Sequence, residues 1–294
     1  MELTIVRADP AGNITIFVLD RIADPALRLR AAKALLADPS LKAEQVGFVI
    51  PPDPLVSDPS AGPEARYWRL EMMGGEFCGN AARSFGLYAA RETGARGKRD
   101  IRVRISGAPE PVPVRVDLDS SAAEAELPGP RAEALLSWKG RSFPVLYFEG
   151  IAHVIAEGLE PDRDAALGLA DSVARSVGQP DAGRFMDGCR PADAGRSVAA
   201  VGVMFYDPAR RFMRPAVYVA ATGSLVFESS CGSGTAALAA YLSRGTSCGG
   251  ARWEISQPGG TIEARLVKQG GAVHIGGPVS LGGKIKVVLP PFFG

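Results

Sequence analysis

The apolar positions of this chain fall mostly into short runs of β-branched or alternating hydrophobic residues, the spacing of strands rather than of helices. Such runs lie at residues 3–7, 14–19, 47–50, 67–72, 101–106, 113–117, 144–148, 153–156, 201–206, 216–221 and 262–267. Four segments carry helical spacing instead. Asp24 followed by Pro25 marks a helix start, and Leu27, Ala31 and Leu35, with Ala32 and Leu36 beside them, form its apolar stripe. A second helix is expected over Arg163–Val177, ended by Gly178 as a C-cap. Residues 81–91 and 235–244 lack proline and are rich in Ala, Leu, Phe and Tyr, the composition of helices buried on most sides. The Pro-rich stretch 109–113 and the Ala/Glu/Pro stretch 122–130 read as connections between two lobes, with the boundary near Leu127. That boundary separates the chain into two parts of comparable length.

Each Ala-rich helix is preceded by a copy of one motif. The copies are Phe77-Cys78-Gly79-Asn80-Ala81-Ala82-Arg83 and Ser230-Cys231-Gly232-Ser233-Gly234-Thr235-Ala236. They lie about half a chain length apart, which fits an internal duplication and is far too long a period for a solenoid. Small residues after each cysteine, Gly79 and Asn80, then Gly232 and Ser233, leave room for a ligand to reach first-turn N–H groups, a ready site for a carboxylate or phosphate. The partial positive charge of a helix N-terminus also favours thiolate over thiol, so each cysteine is expected to have a lowered pKa and to serve as a base. Two facing thiols around one substrate carbon are the chemistry this doubling suggests. The competing reading is that both cysteines only start core helices.

With 294 residues the chain can bury two hydrophobic cores, and 33 basic against 32 acidic residues, net +1, give no field for nucleic acid. A small neutral or zwitterionic ligand fits that balance better. Charges at Glu2, Arg7 and Asp9 argue against a secretory signal, and the longest apolar run, near 198–206, is too short to cross a bilayer, so no membrane partner and a cytoplasmic location are expected. Cys78, Cys189, Cys231 and Cys248 show no close-spaced pairs, and only His153 and His274 are present, so neither a metal site nor a disulfide framework is expected.

These residues resemble the diaminopimelate epimerase superfamily of cofactor-independent racemases and epimerases. The likeness rests on Cys-Gly-Asn in the first half and Cys-Gly-Ser-Gly in the second, together with Pro10-Ala11-Gly12-Asn13, Glu44-Gln45-Val46-Gly47-Phe48, Ala152-His153-Val154 and Gln257-Pro258-Gly259-Gly260 in family order. It implies an α/β (α+β) fold of two pseudo-symmetric lobes, each an antiparallel barrel-like sheet around a central helix, with the active site between them. The last strand, around 285–289, would cross back onto the first lobe, which makes the implied domains 1–127 plus 281–294, and 128–280. It also implies a thiolate and thiol pair, Cys78 and Cys231, acting without any cofactor. Diaminopimelate itself fits poorly. The polar residues that would hold its far end are replaced here by Leu70-Glu71-Met72-Met73, Gly202 and Thr222-Gly223. An unpaired distal group would cost about 1–3 kcal/mol. The chain is more similar to the staphylopine-type histidine racemase group, through Ala11-Gly12-Asn13-Ile14-Thr15-Ile16, Glu44 to Phe48, Gly75-Glu76-Phe77-Cys78-Gly79-Asn80 and Phe227-Glu228-Ser229-Ser230-Cys231. That likeness implies interconversion of L- and D-histidine for an opine-type metal-chelating metabolite.

By the same resemblance, Asn13 would contact the substrate or Cys78 and Gln45 would orient the substrate carboxylate or amine, while Glu44 and Glu76, acidic and next to site residues, are candidates to pair with its ammonium or an imidazole N–H. Asn13 alone would otherwise be an ordinary turn residue, and either glutamate a solvated one. His153 matches the family's site histidine and is expected near one thiol in an auxiliary role, whereas His274, Cys189 and Cys248 are read as incidental. A small amino acid is the expected partner, and a homodimer the prior for such an enzyme. Open alternatives are a racemase of another amino acid, a phenazine-biosynthesis-type isomerase, and an amino-acid-binding or thiol redox protein.

Overall fold

The computed structural model describes residues 1–53, 66–177, 198–220, 222–244, 250–267 and 271–289. Strands dominate a mixed α/β fold that contains four helices among the described residues. The chain folds into two compact units, Met1–Glu126 with Gly276–Gly294, and Leu127–Ile275.

In the first unit β1 (Glu2–Asp9) pairs antiparallel with β2 (Thr15–Val18), and α1 (Pro25–Ala37) carries the chain over to β3 (Gln45–Ile50), parallel to β2. β3 pairs antiparallel with β4 (Arg69–Met72), and α2 (Gly79–Glu92) makes a second crossover to β5 (Lys98–Ile105), parallel to β4. β6 (Val112–Asp117) and β7 (Ala122–Leu127) extend that edge as an antiparallel meander.

The second unit follows a similar order. β8 (Ala132–Trp138), β9 (Arg141–Tyr147) and β10 (Ile151–Glu157) pair antiparallel in sequence, and α3 (Arg163–Val177) crosses to β11 (Ala200–Asp207), parallel to β10. β12 (Phe212–Val219) pairs antiparallel with β11 and with β13 (Ser224–Phe227). After α4 (Gly232–Leu242) comes β14 (Arg252–Gln257), parallel to β12 and antiparallel to β15 (Gly260–Leu266). β16 (Val273–Pro278) leads the chain back to the first unit, where β17 (Ser280–Leu281) and β18 (Ile285–Val288) both lie antiparallel to β1.

α1 follows its sequence signals closely. The Asp24 side chain accepts from the Ala26 N–H and Pro25 opens the first turn, while Ala31, Ala32 and Leu35 are buried against Leu3, Ile16 and Phe48. α3 buries Ala166, Leu169, Ala170 and Val173 against Val154, Val203 and Phe143. Its expected C-cap, Gly178, lies outside the described residues.

The structure corrects several expectations. Residues 122–127 are not a connection but strand β7, with every second residue buried, so period-two burial overrides the helical bias of Ala and Glu. Residues 109–113 lie inside the first unit and lead into β6. Strands β8, β13, β14 and β16 fall outside the runs that the hydrophobic pattern marks: charged residues interrupt β8 and β14, β13 has only four residues, and β16 contains two glycines and a proline. Both Ala-rich helices begin at the glycine directly after the cysteine, two or three residues earlier than their alanine content suggests.

α2 is buried over its whole length from Gly79 to Ala90, which makes it a core helix rather than an amphipathic one. Phe85 stacks with Tyr88 and meets Phe17 edge-on, so aromatic packing fixes its rotation. Gly86 permits the approach to β6, since a Cβ there would stand 2.6 Å from Val114 Cγ1 and 2.8 Å from Val114 Cβ. Overpacking of this kind costs about 1–3 kcal/mol, whereas Gly to Ala in a helix gains about 1 kcal/mol. Because Val114 Cβ cannot rotate away, Gly86→Ala should be net destabilising and lower the midpoint of thermal unfolding, and an unchanged or raised midpoint would refute this packing.

Candidate active site

Each cysteine caps its own helix. Cys78 and Cys231 sit in extended backbone conformation at the N-cap positions of α2 and α4, and their sulfurs accept from the N–H groups of Ala81 and Gly234, 3.4 Å in each case. The cysteine carbonyls take the next donors, Ala82 and Thr235, at 2.9 Å. A sulfur in the place normally held by Ser or Asp is a weak cap, and therefore a feature that local helix stability alone would not select. Neither cysteine forms a disulfide; Cys189 and Cys248 lie outside the described residues.

Around Cys78 the first unit builds a directed chain of amides. Arg83 Nε donates to Asn80 Oδ1 at 3.1 Å, Asn80 Nδ2 to Asn13 Oδ1 at 3.4 Å, and Asn13 Nδ2 to Glu44 Oε2 at 2.7 Å. A guanidinium can only donate and a carboxylate only accept, so the two ends fix which way both amides point. Asn13 Oδ1 thereby faces Cys78 Sγ at 3.8 Å and can receive its S–H. Asn13 is held for this by its turn: Gly12 N–H bonds Asp9 Oδ1, and the chain re-enters β2 two residues later. Gln45 opens β3 and meets Thr15 Oγ1 at 3.5 Å, one strand away from this chain of amides. Glu76 is exposed, and it is its backbone carbonyl that accepts from Ser106.

Arg83 is fully buried. Its Nη1 reaches the carbonyls of Gly277 and Pro278, at 3.1 and 3.2 Å, and its Nη2 has no hydrogen-bond partner. Burial pulls its pKa down to about 10, opposed by Coulomb coupling to Cys78 and Asp9, so it remains a cation near neutral pH.

The second unit surrounds Cys231 differently. Its thiol is 3.6 Å from Ser233 Oγ, and that hydroxyl is 3.1 Å from His153 Nε2. Thus His153 is linked to the thiol through Ser233. Burial of the imidazole lowers its pKa to about 3, so it is neutral, and its Nδ1 has no hydrogen-bond partner. The Cys231 backbone N–H donates to Gln257 Oε1 at 2.8 Å, while Gln257 Nε2 bonds Thr235 Oγ1 and Thr235 bonds the Cys231 carbonyl. Gln257, which lies in one of the family landmarks, is therefore a positioning residue that its sequence context does not reveal.

The expectation of a lowered pKa fails for Cys231. Desolvation, then the neighbouring Glu228 carboxylate, push this thiol well above its ordinary value, and the Gly234 N–H and Ser233 hydroxyl offset this only in part. A helix terminus supplies about half an elementary charge, which full burial outweighs. In the sequence Glu228 is only one member of a motif, and its folded position beside the sulfur is what reveals the effect.

The family model described as Histidine racemase CntK N-terminal domain matches residues 2–288. The chain belongs to the histidine racemase family. A histidine racemase of Fusobacterium nucleatum subsp. nucleatum is 29% identical over 293 residues, covering 98% of this chain and 97% of the relative, and one of Staphylococcus aureus is 25% identical, covering 96% and 94%. Among solved structures, a probable proline racemase from Agrobacterium radiobacter K84 with bound carbonate superposes with a TM-score of 0.61 at 14% identity, covering 99% of this chain and 94% of that one. A phenazine biosynthesis protein of the PhzF family from Enterococcus faecalis gives 0.57 at 13%, covering 98% and 100%. At such identities these structures speak for the fold alone. Family membership makes the chain an isomerase of the racemase type, which removes the binding-protein and redox alternatives. No helix among the described residues is long and apolar enough to cross a membrane.

Gly202 on β11 lies directly beside His153 on β10, and a Cβ there would stand 2.3 Å from His153 Nδ1 and 2.8 Å from Met204 Cε. Gly202→Ala should displace the imidazole and destabilise the protein by about 1–3 kcal/mol, together with a fall in turnover. A variant as stable and active as the parent would show that the imidazole's position is immaterial. His153 also predicts an acid sensitivity. Its folded pKa is depressed, so the unfolded chain takes up a proton below its ordinary value near 6.5 while the folded one does not until about 3. Stability should therefore drop as pH falls below 6.5, by up to about 1.4 kcal/mol per pH unit from this group. Urea unfolding of His153→Gln between pH 7 and 5 should show a shallower slope, and an identical slope would remove His153 as the cause.

Proposed function

We propose that this racemase interconverts L- and D-histidine by a two-base mechanism without a cofactor. One sulfur, as thiolate, removes the α-proton from one face, and the other, as thiol, delivers a proton to the opposite face. Running the steps backwards uses the same two groups, so one arrangement serves both enantiomers. The observation that carries this reading is the pair of cysteine-capped helices, each with a sulfur already accepting an N–H at its helix mouth, in a chain matched by the histidine racemase family model over nearly its whole length.

In this reading the chain forms two pseudo-symmetric lobes, 1–127 with 281–294 and 128–280, each an antiparallel barrel-like sheet around a central helix. The α-carboxylate is bound by first-turn N–H groups of Gly79, Asn80, Gly232 and Ser233, a donor set that an α-helix does not use internally. As the α-proton leaves, negative charge grows on that carboxylate, and the helix dipoles stabilise it most in the transition state. Glu44, whose carboxylate already accepts from Asn13, receives the ammonium or imidazole N–H, with Gln45 and Glu76 assisting, and His153 holds Ser233 against Cys231. The curated relatives carry the name histidine racemase, which supports histidine over other amino acids. A cytoplasmic homodimer that provides D-histidine for an opine-type metal-chelating metabolite completes the proposal.

Optical rotation of L-histidine under reducing conditions should decay to zero with this protein, and faster than for any other member of an amino-acid panel. Faster turnover of another amino acid would reject histidine as the substrate. Cys78→Ser and Cys231→Ser should each lose roughly 10²–10⁴-fold in rate, while each still washes out the α-hydrogen of one enantiomer in heavy water. Full racemisation by either variant would overturn the two-thiol mechanism. Because one thiol and one thiolate must coexist, the pH profile should be bell-shaped.

A further inference from the structure

Resting on the two-thiol reading above, we propose that Arg83 is the buried counter-ion that makes Cys78 the thiolate of the resting enzyme, leaving Cys231 as the thiol. The two sulfurs share a helix cap but not their surroundings. Cys78 lies at the mouth of α2, and the guanidinium of Arg83 is enclosed in the same helix with no exposure to water. A cation so placed is stable only against negative charge. Its hydrogen-bond partners are neutral: the Asn80 amide and two backbone carbonyls, with Nη2 left unsatisfied. The ionisable groups near enough to stabilise it by Coulomb attraction, once ionised, are Cys78 and Asp9. Asp9 is already paired with Arg7 at 3.1 Å and is partly in water, so the thiolate is the anion that remains within the fold.

Other charged groups around Cys78 act in the opposite sense. Glu44 touches it through Asn13, and Glu76 lies two residues before it but is exposed. The sulfur is provided for in both states. As a thiol it donates to Asn13 Oδ1 at 3.8 Å, a long and weak contact, and as a thiolate it accepts from Ala81 N–H at 3.4 Å. Beside Cys231 the described residues place no cation. The near neighbours are a carboxylate, Glu228, a hydroxyl and, one bond further, a neutral imidazole.

The consequence for turnover is a proton reset of the free enzyme between rounds on the same enantiomer. Cys78 thiolate takes the α-proton and becomes a thiol, while the Cys231 thiol gives its proton to the carbanionic carbon and becomes a thiolate. Product release thus leaves the disfavoured form, Cys78 protonated and Cys231 ionised. A proton must move from Cys78 to solvent and another from solvent to Cys231 before the same enantiomer can react again. Arg83 does not touch the substrate; it is a positioning residue that sets which form the free enzyme adopts.

The test is peptide-resolved alkylation by iodoacetamide across a pH series, which reads each cysteine separately and needs no racemase activity. The quantity is the pH of half-maximal rate, which normalises for access. It should be lower for Cys78 in Cys231→Ser than for Cys231 in Cys78→Ser. In Cys231→Ser carrying Arg83→Met it should rise by about 1–3 pH units, the size of an opposite charge at close range. Arg83→Lys, which keeps the charge, should hold the midpoint near that of the parent. A midpoint unmoved by Arg83→Met, or moved equally by Arg83→Lys, would overturn the proposal. Should Arg83→Met fail to fold, the proposal still fails if Cys78 does not ionise below Cys231 in the Arg83 protein. Failure of the two-thiol mechanism itself would appear elsewhere, as full racemisation by a single cysteine variant.

Discussion

Both candidate catalytic thiols are held by the start of a buried helix. An α-helix leaves its first N–H groups without internal acceptors, and burying such an end without partners is costly. In α2 and α4 the sulfur of Cys78 or Cys231 accepts one of these N–H groups and the cysteine carbonyl accepts the next. The groups proposed to perform the chemistry are therefore also the groups that satisfy the helix. Their position is as firm as the helix, and α2 is enclosed on all sides by aromatic and β-branched side chains.

From that shared constraint the two units diverge in electrostatics. The first encloses a guanidinium and ends its amide chain on a carboxylate, so Asn80 and Asn13 have a single orientation. The second encloses an uncharged histidine and a glutamine whose amide spans Cys231 and Thr235. A two-base racemase needs two groups of the same chemical type in opposite protonation states. In the proposed mechanism, identical side chains on a repeated motif supply the type, and the different buried neighbours supply the difference. A helix dipole is too small to do this alone, as the raised pKa of Cys231 makes plain.

Packing glycines impose a related constraint. Gly86, Gly202 and Gly234 each lie where a Cβ would strike a neighbour, at Val114, His153 and Met204 respectively. Gly202 and Gly234 stand against the Cys231 relay, so the room for the imidazole and for the capping sulfur is set by side chains that are missing. A change at either site would be felt in the relay before it was felt in the sheet.

Much of the site is legible in the sequence because its signals are local. A cysteine followed by small residues and an Ala-rich segment specifies a helix mouth wherever it folds, and Asp24-Pro25 specifies a helix start in the same way. The strands at 122–127 and 252–257 are not legible, since Ala and Glu bias the first toward helix and charged residues interrupt the second, so pairing with a neighbour decides both. Nor can the sequence assign charge states. The raised pKa of Cys231 comes from desolvation and from Glu228, a group whose proximity arises from folding. The chain by itself determined that two cysteines, in two copies of one motif, each open a helix. Tertiary structure alone decided which neighbour each thiol meets, because burial and Coulomb interaction act through space rather than along the chain.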